Sequence, residues 1–175
     1  MTAERQNDLA VAQEIERKFL VGSDRWRDSA DAGRRLRQAY LAETDRAVIR
    51  VRIEEGGRAF LTLKSAAAVV VRDEFEYSVP LADAEALLRL RHGSVLEKTR
   101  FLVRHAGRVW EVDLYSGDNA GLVIAEIELE AEAAEVDFPP WLGREVTGEA
   151  RYYASRLALA PFPLWPEAEQ RGAGS

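Results

Sequence analysis

From residue 14 to about 131, apolar and polar side chains alternate with a period of two, the spacing at which a strand turns successive residues to opposite faces. Runs near 14–21, 34–43, 46–54, 58–65, 69–79, 95–104, 108–115 and 122–130 predict eight strands. Turn chemistry separates them at Glu54-Glu55-Gly56-Gly57, Ala106-Gly107 and Ser116-Gly117-Asp118-Asn119, which favours antiparallel neighbours. After Pro80 the rhythm breaks, and Leu81 to Arg91 predicts a short helix with its leucines inward. A second short helix is expected over about 147–158.

What alternates is charge against apolar bulk. Glu14, Glu16 and Lys18 share one face of the first strand, with Ile15 and Phe19 on the other. Arg50 and Arg52, Thr62 and Lys64, and Arg72, Glu74 and Glu76 repeat the division, as do Glu111 and Asp113, and Glu126, Glu128 and Glu130. Such stripes are ordinarily the solvated faces of a sandwich. Here they are dense in Arg and Glu, mix both signs and carry almost no Ser, Gln or Asn. A closed barrel of about eight strands encloses just enough room for side chains or one small ligand. Charges pointing into that space need each other, or ions, as partners. The expected fold is mainly β (α+β): a closed eight-stranded antiparallel β-barrel with a few short helices.

The chain has 175 residues, 47% of them hydrophobic, enough for one domain with a core of its own. Residues 1–12 read as a flexible lead-in, 13–160 as the barrel domain and 161–175 as an irregular tail. No cysteine is present, which excludes disulfides and thiolate metal sites and suits a cytoplasmic setting. No run of about 18 apolar residues suggests a membrane span. The net charge of −6 argues against broad nucleic-acid or membrane binding. Apolar outer barrel faces need cover, which a homodimer, the helices or the tail could each supply.

The inner face offers Lys18, Arg50, Arg52, Lys64, Arg72, Lys98 and Arg100, more cations than one carboxylate ligand needs. A triphosphate spreads several charges along a line, which Arg grips bidentately and Lys meets as a point charge. The same face offers Glu14, Glu16, Asp113, Glu126 and Glu128, an all-oxygen set suited to Mg²⁺ or Mn²⁺ and not to zinc. His92 and His105 lie near presumed turns or strand ends without a supporting motif, and GxGxxG and Walker A patterns are absent.

Glu14-Ile15-Glu16-Arg17-Lys18 contains an ExExK motif, and with Gln38-Ala39-Tyr40-Leu41, Leu61-Thr62-Leu63-Lys64, Arg72-Asp73-Glu74-Phe75-Glu76, Glu97-Lys98-Thr99-Arg100, Glu111-Val112-Asp113, Ala125-Glu126-Ile127-Glu128 and Trp141-Leu142-Gly143-Arg144 it resembles the CYTH superfamily, the triphosphate tunnel metalloenzymes. The resemblance spans about residues 13 to 160 and implies a tunnel-forming barrel of eight antiparallel strands. It implies that Glu14, Glu16 and the Glu126/Glu128 pair hold the divalent ions, two in number, with Asp113 joining the second site. It further implies that the basic set binds the phosphate chain, that Tyr40 is the tunnel tyrosine, and that Lys98 and Arg100 bear on turnover. Ala154 departs from the family pattern, where Asn is common. The activity implied first is hydrolysis of inorganic triphosphate to pyrophosphate and phosphate. Nucleoside or thiamine triphosphate hydrolysis, cyclase chemistry and a non-catalytic polyphosphate-binding module remain alternatives.

Overall fold

The charged and apolar stripes become the two faces of strands that curl around a lumen. The computed structural model describes residues 12–65, 71–131 and 133–173, with side chains at 15–65, 73–131 and 133–170. The strands are β1 (Ala12–Val21), β2 (Arg34–Glu43), β3 (Ala47–Glu54), β4 (Ala59–Ser65), β5 (Val71–Ser78), β6 (His92–His105), β7 (Arg108–Ser116), β8 (Val123–Glu128) and β9 (Leu142–Glu145). The helices are α1 (Leu81–Leu88), α2 (Ala154–Leu159) and α3 (Glu167–Ala173).

All described strand pairs are antiparallel, in the order β5-β4-β3-β2-β6-β7-β8-β1-β9. The pairing returns on itself because β1 holds β5 through Ala12–Ile15 and β8 through Glu16–Leu20. Eight strands therefore make the expected ring. The ninth, β9, joins β1 through Phe19 and Val21, on the edge opposite β8. Its four residues are too few to display an alternation, so the sequence pattern passes over it. Adjacent strands close through short turns. His105 and Arg108 pair across a two-residue turn in which Ala106 (φ 46°) and Gly107 (φ 79°) are both left-handed, as this hairpin type requires.

Apolar side chains fill the outside of the ring and one of its ends. On one outer face Ala84 and Leu88 of α1 cover Ala39, Val51, Ile53 and Ala59. On another, Phe19, Trp26, Trp110, Trp141 and Ile127 form a cluster, with Trp110 and Trp141 edge to face at 5.9 Å. The third cluster joins inward-facing Leu20, Tyr40, Leu96, Tyr115 and Ile124 to Tyr152, Leu157, Ala158 and Phe162. Thus α2 and the turn after it close one end of the barrel from within. Burying Leu157 completely contributes about 1.5–3 kcal/mol to that closure.

The helix expected over 147–158 is split into a 3-10 turn at Ala150–Tyr152 and α2. Tyr153, in an extended conformation, separates them. Residues 161–175, expected to run irregularly, contain a 3-10 turn at Phe162–Leu164 and α3. Arg151 pairs with Glu169 there at 2.5 Å, and Trp165 packs edge to face against Phe162 and Tyr152. Among the described residues no helix is long and apolar enough to cross a membrane.

Candidate functional site

A cavity of about 880 Å³ runs inside the ring. The sequence-predicted residues Glu16, Lys18, Tyr40, Arg50, Arg52, Lys64, Lys98, Arg100 and Glu126 all line it. They come from six strands, and all but Tyr40 face inward by the parity of a charged stripe on their strand. The charged stripes are therefore a lumen and not a solvated exterior. The side chains of Glu14 and Arg72 lie outside the described residues, although their Cα atoms are partners across β1 and β5.

Register brings opposite charges together. Lys18 is the Cα partner of Glu126, and its ammonium contacts both Glu126 and Glu16. Arg100 is the partner of Asp113, with Nε donating to Oδ1 at 2.7 Å and Nη2 to Oδ2 at 2.6 Å. Its Nη2 also donates to Glu126 Oε2 at 2.9 Å, and its Nη1 donates to Glu111. Lys98 donates to Asp113 Oδ2. On the other wall Lys64 Nζ lies 3.0 Å from Glu74, and Arg50 Nη2 donates to Thr62 Oγ1 at 3.2 Å. Arg52 Nη2 donates to both oxygens of Glu76 at 3.1 and 3.2 Å. Charge-assisted bonds of this kind offset the desolvation that a charged lumen would otherwise suffer.

The ionisation states follow from this arrangement. Burial would raise the Glu126 carboxyl, but Lys18, Arg100 and Lys98 outweigh it and hold the group below the ordinary carboxylate range. Burial likewise opposes charge on Lys18, and Glu126 and Glu16 overcome it, raising the ammonium above its ordinary value. Lys98 moves the other way: burial and then the neighbouring Arg100 lower it, in spite of Asp113. Burial raises the Tyr40 hydroxyl, with Arg50, Lys64 and Lys18 pulling against it, so at neutral pH Tyr40 is a hydrogen-bond donor. Glu111 is raised mainly by burial, and Arg100 counters that shift.

The predicted metal-binding acids separate into groups. Glu16 and Glu126 converge on a single ammonium, which shows that two carboxylates reach one cation-sized volume. Glu128 is exposed and stands across the β1–β8 ladder from Glu16. Asp113 is fully buried, and its oxygens are engaged by Lys98 and Arg100. Among the described residues no three acidic or histidine side chains form a ready-made cation cluster. Carboxylate oxygens are the donors a hard divalent ion takes, and Glu16 and Glu126 supply them at one point of the cavity.

Gln38, Glu74, Glu76 and Glu111 also line the cavity and were not singled out from sequence as site residues. The stripes contained the signal for the three glutamates. Gln38 is buried, and its amide reaches the Tyr40 hydroxyl at 3.4 Å.

The CYTH domain family matches residues 12–155 of this chain. An inorganic triphosphatase of Acetivibrio thermocellus is 39% identical over 158 residues, covering 90% of this chain and all of that protein (100%). An inorganic triphosphatase of Nitrosomonas europaea is 37% identical over 151 residues, covering 84% of this chain and 97% of that protein. A crystal structure of an inorganic triphosphatase superposes with a TM-score of 0.62 at 35% identity, covering 85% of this chain and 96% of that one.

Proposed function

This chain belongs to the CYTH domain family, and from that premise we propose that it is a divalent-metal-dependent triphosphatase that cleaves inorganic triphosphate to pyrophosphate and phosphate inside its barrel. The observation that carries the reading is the cavity inside the ring, lined by Lys18, Arg50, Arg52, Lys64, Lys98 and Arg100 together with the carboxylates of Glu16, Glu74, Glu76, Glu111 and Glu126. A site that only bound an anion would be weakened by those acids.

Each residue takes a role from its position. Lys64, Arg50 and Arg52 on one wall receive phosphate oxygens by exchanging their Glu74 and Glu76 partners for substrate. Arg72 belongs to the same basic set. Lys98 and Arg100 meet the phosphoryl group under attack, and Asp113 orients both. Tyr40 donates a hydrogen bond at the closed end. Glu14, Glu16, Glu126 and Glu128 hold Mg²⁺ or Mn²⁺, two ions in this reading. Ions held there would neutralise phosphate charge and acidify a water. Fixed positive charge around the transferring group then lowers the barrier without a covalent intermediate. A cytoplasmic setting suits a chain without cysteine.

The test is phosphate release from inorganic triphosphate, ATP, thiamine triphosphate and pyrophosphate, each with Mg²⁺, Mn²⁺ and chelator. The expected result is metal-dependent cleavage fastest on inorganic triphosphate. Faster turnover of an organic triphosphate would replace the substrate assignment, and binding without turnover would replace the enzyme with a sensor.

A further inference from the structure

At the end of the barrel away from α2, three guanidiniums crowd one buried carboxylate. Val48, near the start of β3, packs against the cluster that contains α2. Glu54 lies at the other end of β3, roughly 20 Å along the strand at about 3.3 Å per residue. Its side chain is only 5% exposed, yet three guanidiniums reach it: Arg58 Nη2 at 2.6 Å, Arg52 Nε at 3.6 Å and Arg34 Nη1 at 4.0 Å. Arg52 has a second partner in Glu76, whereas the contact of Arg34 with Glu54 is the longest of the three.

Arg34 is the least committed of the three. Its Nε is sealed from solvent with no hydrogen-bond partner, while the side chain as a whole is 41% exposed. The residue is the Cα partner of Arg100 across β2 and β6, so both side chains take the inner face. It also shares Glu54 with Arg52, which lines the cavity. The exposed part of this guanidinium, next to Arg100 and tethered by one long contact to Glu54, is equipped to take a phosphate oxygen.

We infer that Arg34 is a further substrate-binding residue, which contacts the phosphate chain beside Arg100, its cross-strand neighbour, at the end of the barrel away from α2. The inference rests on the triphosphatase reading for the identity of its ligand. A contact held equally before and during the reaction contributes to binding more than to the chemical step.

The experiment compares Arg34→Ala, Arg34→Lys and Arg35→Ala with the unaltered protein. Arg35 is the control: it removes the same charge from the next residue, but its side chain is on the outer face and pairs with Glu55 at 3.1 Å. Arg34→Ala is expected to raise KM for inorganic triphosphate about tenfold with kcat within about twofold, and Arg34→Lys to recover part of the loss. Arg35→Ala is expected to change neither. An unchanged KM in Arg34→Ala, or an equal rise in Arg35→Ala, would overturn the assignment. Calorimetric titration with inorganic triphosphate in chelator gives the same comparison without turnover. If the unaltered protein proves inactive, the enzymatic reading fails, and the ratio of Kd values between Arg34→Ala and Arg35→Ala still decides the role of Arg34.

Discussion

Lys18 stands directly across the β1–β8 ladder from Glu126, and its ammonium bonds that carboxylate and Glu16 at once. One lysine thus occupies the point where two proposed metal-binding acids meet. Removing the Glu126 charge should damage the reaction more than the fold. In Glu126→Gln we expect kcat to fall by at least about a hundredfold, with the far-ultraviolet circular dichroism unchanged. Turnover near that of the unaltered protein would defeat the assignment.

The same pair fixes a pH dependence of stability. Glu126 and Asp113 are held below the ordinary carboxylate range, so the unfolded chain binds more protons than the folded one as acid is added. Their contribution is present above about pH 4, the unfolded range, and is lost as pH falls through the depressed folded values. Lys18, raised in the folded state, contributes fully below about pH 10 and loses that contribution as pH rises through its folded value. The melting temperature should be nearly flat between those limits and fall on the acid side. The fall should be shallower in Glu126→Gln, and an identical acid limb in both proteins would contradict the linkage.

Asp113 holds Lys98 and Arg100 from a fully buried position. Asp113→Asn leaves two cations facing a neutral amide, and a broken buried pair costs about 3–5 kcal/mol. Urea titration should show that loss, and activity should fall with it even where the protein is folded. A change below about 1 kcal/mol would mean that Arg100 is held adequately by Glu111 and Glu126 alone.

Gly93 lets β6 pass close beneath α2. Its φ is +79°, and a Cβ there would lie 2.5 Å from the Ala158 carbonyl oxygen. Gly93→Ala must strain the backbone and push α2 outward, at a cost of about 1–3 kcal/mol. Thermal melting checks this, and an unchanged Tm would show that α2 seats independently of β6.

Much of this was legible in the residues because a two-residue period survives wherever a strand is long enough to repeat it. The stripes on β1, β3, β4 and β8 announce their lumen-facing side chains without reference to their partners. Closure is a different matter. The pairing of β1 with both β5 and β8 joins positions far apart in the chain, and β9 is four residues long. Arg34 also escaped notice, because the inner face of β2 runs Arg34, Leu36, Gln38, Tyr40 and forms no charged stripe. The engagement of Asp113 by Lys98 and Arg100 depends on the register between β6 and β7, which a pattern within one strand does not specify.

Metal-dependent cleavage of inorganic triphosphate can be followed directly by phosphorus NMR in the presence of the protein, first with chelator and then after Mg²⁺ is added. The expected result is no change with chelator, then equal amounts of pyrophosphate and phosphate appearing as triphosphate disappears. Cleavage that proceeds with chelator present, or triphosphate that persists in Mg²⁺ and in Mn²⁺, would contradict it.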